Sequence, residues 1–247
     1  MARTQREASQ VISEAEGGDA EAQCYLGHMY QEGEGVPQNY QEAIRWFRKA
    51  ADQGNINSQY NLGVMCYEGK DVAQDYDAAF HWFYRAAKQG DAWGQFYLGL
   101  MYSAGQGVPK DEVAAALWYR QSAEQGDSWS QYNLGCMYQN GQGVAQDCEQ
   151  AMYWYRLASA QGDVEAQYSM GWLYYTGEGV GQDHVEAMRW YRLASDQGDA
   201  WAMRALGKLF ADGGLGVTRD IKRAKYYYAK AMEAGDAEAA RLLEKLG

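Results

Sequence analysis

The chain has 247 residues, 47% hydrophobic and 14% aromatic, with two prolines and a formal charge of −11. That composition suits a helix-rich folded core and excludes a disordered or loop-built chain. No cluster of Lys and Arg stands out, which argues against nucleic acid and anionic membranes, since both demand local positive charge. No stretch approaches the roughly 20 apolar residues of a membrane-spanning helix. The opening "MARTQREASQ" lacks the apolar segment of an export leader, so a cytoplasmic chain is expected unless a leader was removed. Cys24, Cys66, Cys136 and Cys148 show neither a C-x-x-C pair nor a recurring separation. Free thiols are expected, not a zinc site or a disulfide framework.

Taken in chain order, Ala8 to Glu16 read as the last turns of a helix without a partner, an N-terminal cap over 1–17. A Gly-Asp or Gly-Asn step then recurs at Gly18, Gly54, Gly90, Gly126, Gly162 and Gly198, always 36 residues apart, and at Gly235 after one insertion. A fixed period of this length signals a repeat architecture. The units are 18–53, 54–89, 90–125, 126–161, 162–197 and 198–234.

Each unit predicts two helices. Helix A starts after Asp19, Asn55, Asp91, Asp127, Asp163 or Asp199, whose side chains can accept from the first turn's unpaired N–H groups. The glycine before each suits a left-handed residue closing the preceding helix. A Gly-x-Gly-Val loop, as at Gly33–Val36 and Gly177–Val180, ends helix A, and helix B starts at Asn39, Asp75, Asp111, Asp147, Asp183 or Asp220. Glu42 and Glu186, three residues on, predict capping boxes. Helix B carries Ala-x-x-Trp-aromatic-x-x-Ala, as in Ala43, Trp46, Phe47 and Ala50, which is one apolar helical face.

Helix A carries small-Gln-x-x-Leu-Gly-x-Met-Tyr, as in Ala22 to Tyr30. A glycine inside a helix costs about 1 kcal/mol against alanine. Its retention in all six units predicts a neighbour too close for a β-carbon. The last segment, 235–247, reads as a helix A with Leu243 at the Leu position but Glu244 where the glycine stood, as expected of a capping helix with a wet outer face.

The Gln-x-x-Leu-Gly-x-x-Tyr and Ala-x-x-x-aromatic motifs resemble the tetratricopeptide signature, with Gln in place of its Trp and a unit two residues longer. Those departures, the "A-x-x-W-[YF]-x-x-A" helix and the closing "Q-G-D" are similar to Sel1-like repeats. The resemblance runs from Gly18 to Gly247. It implies an all-α, right-handed α-solenoid of antiparallel helix pairs, with helix A lining the concave side. It also implies adaptor or assembly roles, including host interaction or neutralisation of partner proteins among bacterial members. Some cysteine-rich members carry a disulfide in each repeat; this chain lacks that pattern.

By the same analogy the concave positions lie five, two and one before the Leu and two and five after it. Trp46, Trp82, Trp118, Trp154 and Trp190 fall in the helix B column and read as structural. Trp93, Trp129, Trp172 and Trp201 fall in concave columns that do not repeat, and predict an aromatic ladder for a partner's side chains. Packing between repeats is the competing reading. It is preferred for Tyr60, Phe96, Tyr132 and Tyr168, whose column nearly repeats. Asn61 and Asn133, which can offer a peptide unit both donor and acceptor, join the candidates with Tyr97 and Tyr175. Arg204 and Lys208, one turn apart, form a small positive patch suited to a carboxylate; a solvated face near the cap is the competing reading.

Chemistry finds no foothold. His28, His81 and His184 form no metal-ligand spacing, no nucleophile elbow is present, and the glycine loops follow helices and lack a P-loop lysine. The expectation is a monomeric, non-catalytic scaffold without cofactor or metal, binding a protein or peptide, with no nucleic acid and no membrane insertion. The alternative is a glycan stacked on the aromatic groove.

Overall fold

The computed structural model describes residues 2–69 and 72–246; the outermost residues of the two expected caps, Met1 and Gly247, lie outside them. The helices are, in order, α1 (Ala2–Glu16), α2 (Ala20–Glu32), α3 (Tyr40–Asp52), α4 (Ile56–Glu68), α5 (Tyr76–Lys88), α6 (Ala92–Ala104) and α7 (Glu112–Glu124). They continue with α8 (Ser128–Asn140), α9 (Cys148–Ala160), α10 (Val164–Thr176), α11 (His184–Asp196), α12 (Ala200–Asp212), α13 (Ile221–Glu233) and α14 (Ala237–Lys245). Among the described residues the one β pairing is an isolated bridge, Gly214 to Val217, in the loop that holds the inserted residue of the sixth repeat. The chain divides into two compact units, 1–125 with α1 to α7 and 126–247 with α8 to α14.

Local chemistry sets the helix ends. Asp19 Oδ1 accepts from Ala22 N at 2.7 Å, and Asn55, Asp91, Asp127, Asp163 and Asp199 cap α4, α6, α8, α10 and α12 in the same way. The glycine after each helix B is left-handed, with φ 96° at Gly54 and 98° at Gly126, as a Schellman-type ending requires. The capping boxes form only halfway. Glu42 N donates to Asn39 Oδ1, but the N–H of Asn39 donates to the Tyr30 carbonyl at 2.8 Å, so the Glu42 carboxylate turns to Arg45. Asp183 N is likewise taken by the Tyr174 carbonyl, and Glu186 pairs with Arg189. A backbone acceptor from helix A outcompetes the returning carboxylate.

The glycine after Leu meets its expected neighbour. A β-carbon on Gly27 would sit 2.6 Å from the Phe47 ring, and one on Gly135 2.7 Å from the Tyr155 ring. Helix B thus inserts its buried aromatic where helix A has no side chain, while Leu26, Leu62, Leu98, Leu134 and Leu206 fill the seam. In α14 the matching residue, Glu244, stands exposed. Trp46, Trp82 and Trp154 are buried, and Trp118 and Trp190 half-buried.

The two recurrent glutamines turn out to be partners. Gln53 Nε2 donates to Gln23 Oε1 at 2.8 Å and Gln89 Nε2 to Gln59 Oε1 at 2.8 Å; Gln125 and Gln95 repeat the bond in the first unit. Gln161 with Gln131 and Gln197 with Gln167, both at 2.9 Å, do so in the second. The acceptor glutamine of each pair is buried, and Gln23 and Gln59 each donate back to a carbonyl of the preceding helix, Ala15 and Ala51. A buried amide is tolerable only when so engaged. In the sixth repeat the two positions become Met203 and Ala234 together, so neither half is left alone.

Candidate functional site

The second unit holds a cavity of about 300 Å³ lined from four helices. Helix α10 contributes Tyr168, Trp172 and Tyr175, spaced i, i+4, i+7 on one face. Helix α12 contributes Trp201, Arg204, Ala205 and Lys208, again one face, and α14 adds Glu238 and Leu242. The buried Tyr191 of α11 reaches the cavity from behind. Tyr168 meets the Trp201 ring edge-on at 6.0 Å and tilts over Tyr191 at 5.5 Å. Tyr175 stacks on His184 at 5.0 Å and carries the Lys208 ammonium 5.5 Å from its ring centre.

Charge in the cavity is arranged, not merely present. Arg204 Nε lies 3.2 Å from Asp236 Oδ2, and that carboxylate is almost fully buried. The other oxygen, Asp236 Oδ1, caps α14 by accepting from Ala239 N at 2.9 Å. Arg204 therefore ties the final helix to the cavity wall. Glu238 is engaged by Arg241 at 3.3 Å. Burial pushes the Tyr168 hydroxyl's pKa up, partly offset by the Arg204 charge. Burial likewise raises Tyr191, helped by the neighbouring Tyr168 and Tyr175. These phenols stay neutral and serve as walls.

Five of the expected residues thus meet at one place: Trp172, Tyr175, Trp201, Arg204 and Lys208. The others lie elsewhere. Trp129 and Asn133 are on α8, where the Asn133 amide donates to the Trp129 carbonyl of its own helix at 2.7 Å. In the first unit Asn61 Nδ2 lies 3.1 Å from His28 Nε2, and burial lowers the His28 pKa. Tyr97 stacks on Phe83 at 4.4 Å, and its pKa is pushed up to about 12, mainly by burial. Trp93, on α6, meets Phe96 edge-on and leaves much of its ring in solvent.

Tyr168, Tyr191, Glu238 and Leu242 were not among the expected site residues. The first sits in a column that nearly repeats, and the last two arrive from the cap, beyond the reach of column comparison. The basic residues Lys222, Arg223, Lys225 and Lys230 gather on α13 beside Tyr226, a concentration that the whole-chain charge concealed. Of these, Arg223 is paired with Asp220 at 3.3 Å. Among the described residues no group of three or more His, Cys, Asp or Glu gathers to hold a metal, and no helix is long and apolar enough to cross a membrane. The four cysteines are free thiols.

Helix pairs stacked in series, with an aromatic cavity between successive A helices, define an all-α repeat protein of the solenoid class. The chain belongs to the Sel1 repeat family, whose model matches residues 20–55, 56–91, 94–127, 130–163, 164–199 and 202–236. A solved protective antigen of uropathogenic Escherichia coli with this repeat fold is 36% identical over 97% of the chain, with a TM-score of 0.93. The chain spans 51% of that structure's length. A Sel1 repeat protein from Oxalobacter formigenes is also 36% identical, over 96% of the chain and 68% of its own length, with a TM-score of 0.80. An immunity protein from Pseudomonas aeruginosa, 18% identical over 87% of this chain and 82% of its own, has a TM-score of 0.52 and shares the fold alone. Comparison with curated proteins finds no significant match. Sel1 repeat proteins are protein-interaction scaffolds and are typically non-catalytic.

Proposed function

We propose that this chain is a non-catalytic scaffold that takes a peptide segment or protein domain on the aromatic faces of its A helices, with the α10–α12–α14 cavity as an anchoring pocket. One observation carries the reading. The four tryptophans outside the structural column are 46%, 54%, 40% and 61% exposed at Trp93, Trp129, Trp172 and Trp201. Their columns are filled in other repeats by unrelated residues such as Glu21, Asn57 and Val64, so the repeated packing does not call for a large aromatic ring there. Large aromatic side chains are the residue type that dominates binding hot spots. The cavity, at the small end of the ~300–1,000 Å³ range of ligand sites, fits one or two side chains better than a cofactor.

The test places a photoreactive p-benzoylphenylalanine at position 172 of the full chain in its native cell. A single polypeptide crosslinked in the parent and lost on Trp201→Ala supports the proposal. Crosslinks confined to polysaccharide favour the glycan reading instead.

A further inference from the structure

Resting on that reading, we infer that the pocket selects an apolar side chain standing next to a carboxylate in the partner, and that Lys208 alone reads the carboxylate. The two cations of the wall have different jobs. Arg204 is neutralised by the buried Asp236, 3.2 Å away, and that pair caps and docks α14. Glu238 is balanced by Arg241. Lys208 has no carboxylate partner within ion-pair distance among the described residues; its ammonium rests over the Tyr175 ring, and the residue is exposed. The pocket's uncompensated charge is therefore a single positive one at the rim of an aromatic cavity. A cationic ligand, which an aromatic cage would otherwise welcome, is repelled there. A ligand with an apolar body and one adjacent negative group satisfies both features, and an acidic peptide segment supplies them in consecutive residues.

The test follows the indole N–H signals of the intact ¹⁵N-labelled chain, assigned through Trp172→Phe and Trp201→Phe. The probes are acetyl-Gly-Phe-Asp-Gly-amide, its Asp-to-Asn analogue and trigalacturonate. The acidic peptide should shift the Trp172 and Trp201 signals and bind about threefold more tightly than the amide, the scale of a partly exposed ion pair. That preference should vanish in Lys208→Gln and at ~1 M salt, where screening acts within about 3 Å. Arg204→Gln, by loosening α14, should weaken both peptides equally. Equal affinity for the two peptides in the parent, or a preference surviving Lys208→Gln, overturns the inference while leaving a peptide-binding scaffold. Trigalacturonate shifting the same indoles when neither peptide does overturns both, and no shift with any probe overturns the pocket's selectivity.

Discussion

At the scale of the residue, the same amino acid takes opposite roles according to whether its column repeats. Trp46 is buried, with the Lys49 ammonium 3.8 Å from its ring centre, and Trp201 stands in solvent. Glycine shows the same discipline. Gly135 faces Tyr155 so closely that an added methyl must displace the ring or the helix. Gly135→Ala gains helix propensity of about 1 kcal/mol, but overpacking of this kind costs about 1–3 kcal/mol. The expected net result is destabilisation of roughly 1 kcal/mol in urea melts. Glu244→Ala, at the matching position of α14 where nothing packs, should stay within about 0.5 kcal/mol of the parent. An unaltered melt for Gly135→Ala would show that the close contact carries no stability.

At the scale of the element, helix A and helix B are bound by features of different legibility. The period, the caps, the Leu-Gly seam and the apolar face of helix B could all be read from spacing, because each is a local consequence of helical geometry. The glutamine pairs could not. Gln59 and Gln89 each belong to a visible motif, but a sequence does not say which way a buried amide points. Here they are predicted to act as a unit. Gln89→Ala leaves Gln59 Oε1, 1% exposed with its residue, without the donor now 2.8 Å away. That should cost about 1–3 kcal/mol. The double change Gln59→Met with Gln89→Ala, copying the sixth repeat, should recover about 0.5 kcal/mol or more of that loss. Strict additivity in a double-mutant cycle would dissolve the pair. The site was legible to the same degree: Trp172, Tyr175 and Trp201 came from odd columns, while Tyr168, in a column that nearly repeats, and α14's share did not. The neutralisation of Arg204 by Asp236 joins residues 32 positions apart in chain order, which no periodic comparison reveals.

At the scale of the whole molecule, stability in a stacked array is a sum of neighbouring terms. Deleting residues 54–89, one full unit between equivalent glycines, should leave a folded chain with α2–α3 followed by α6–α7 and the α10–α12–α14 pocket intact. Circular dichroism should report undiminished helicity per residue, and the indole signals of Trp172 and Trp201 should hold their positions; a molten product would contradict independent repeats. The central claim is that the repeating residues hold the fold and the odd ones meet a partner. Its most direct measurement is the attenuation of all nine indole N–H signals by a soluble paramagnetic agent. Strong attenuation is expected at Trp93, Trp129, Trp172 and Trp201, with Trp46, Trp82 and Trp154 protected. Protection of Trp172 and Trp201 in the free chain would contradict the account.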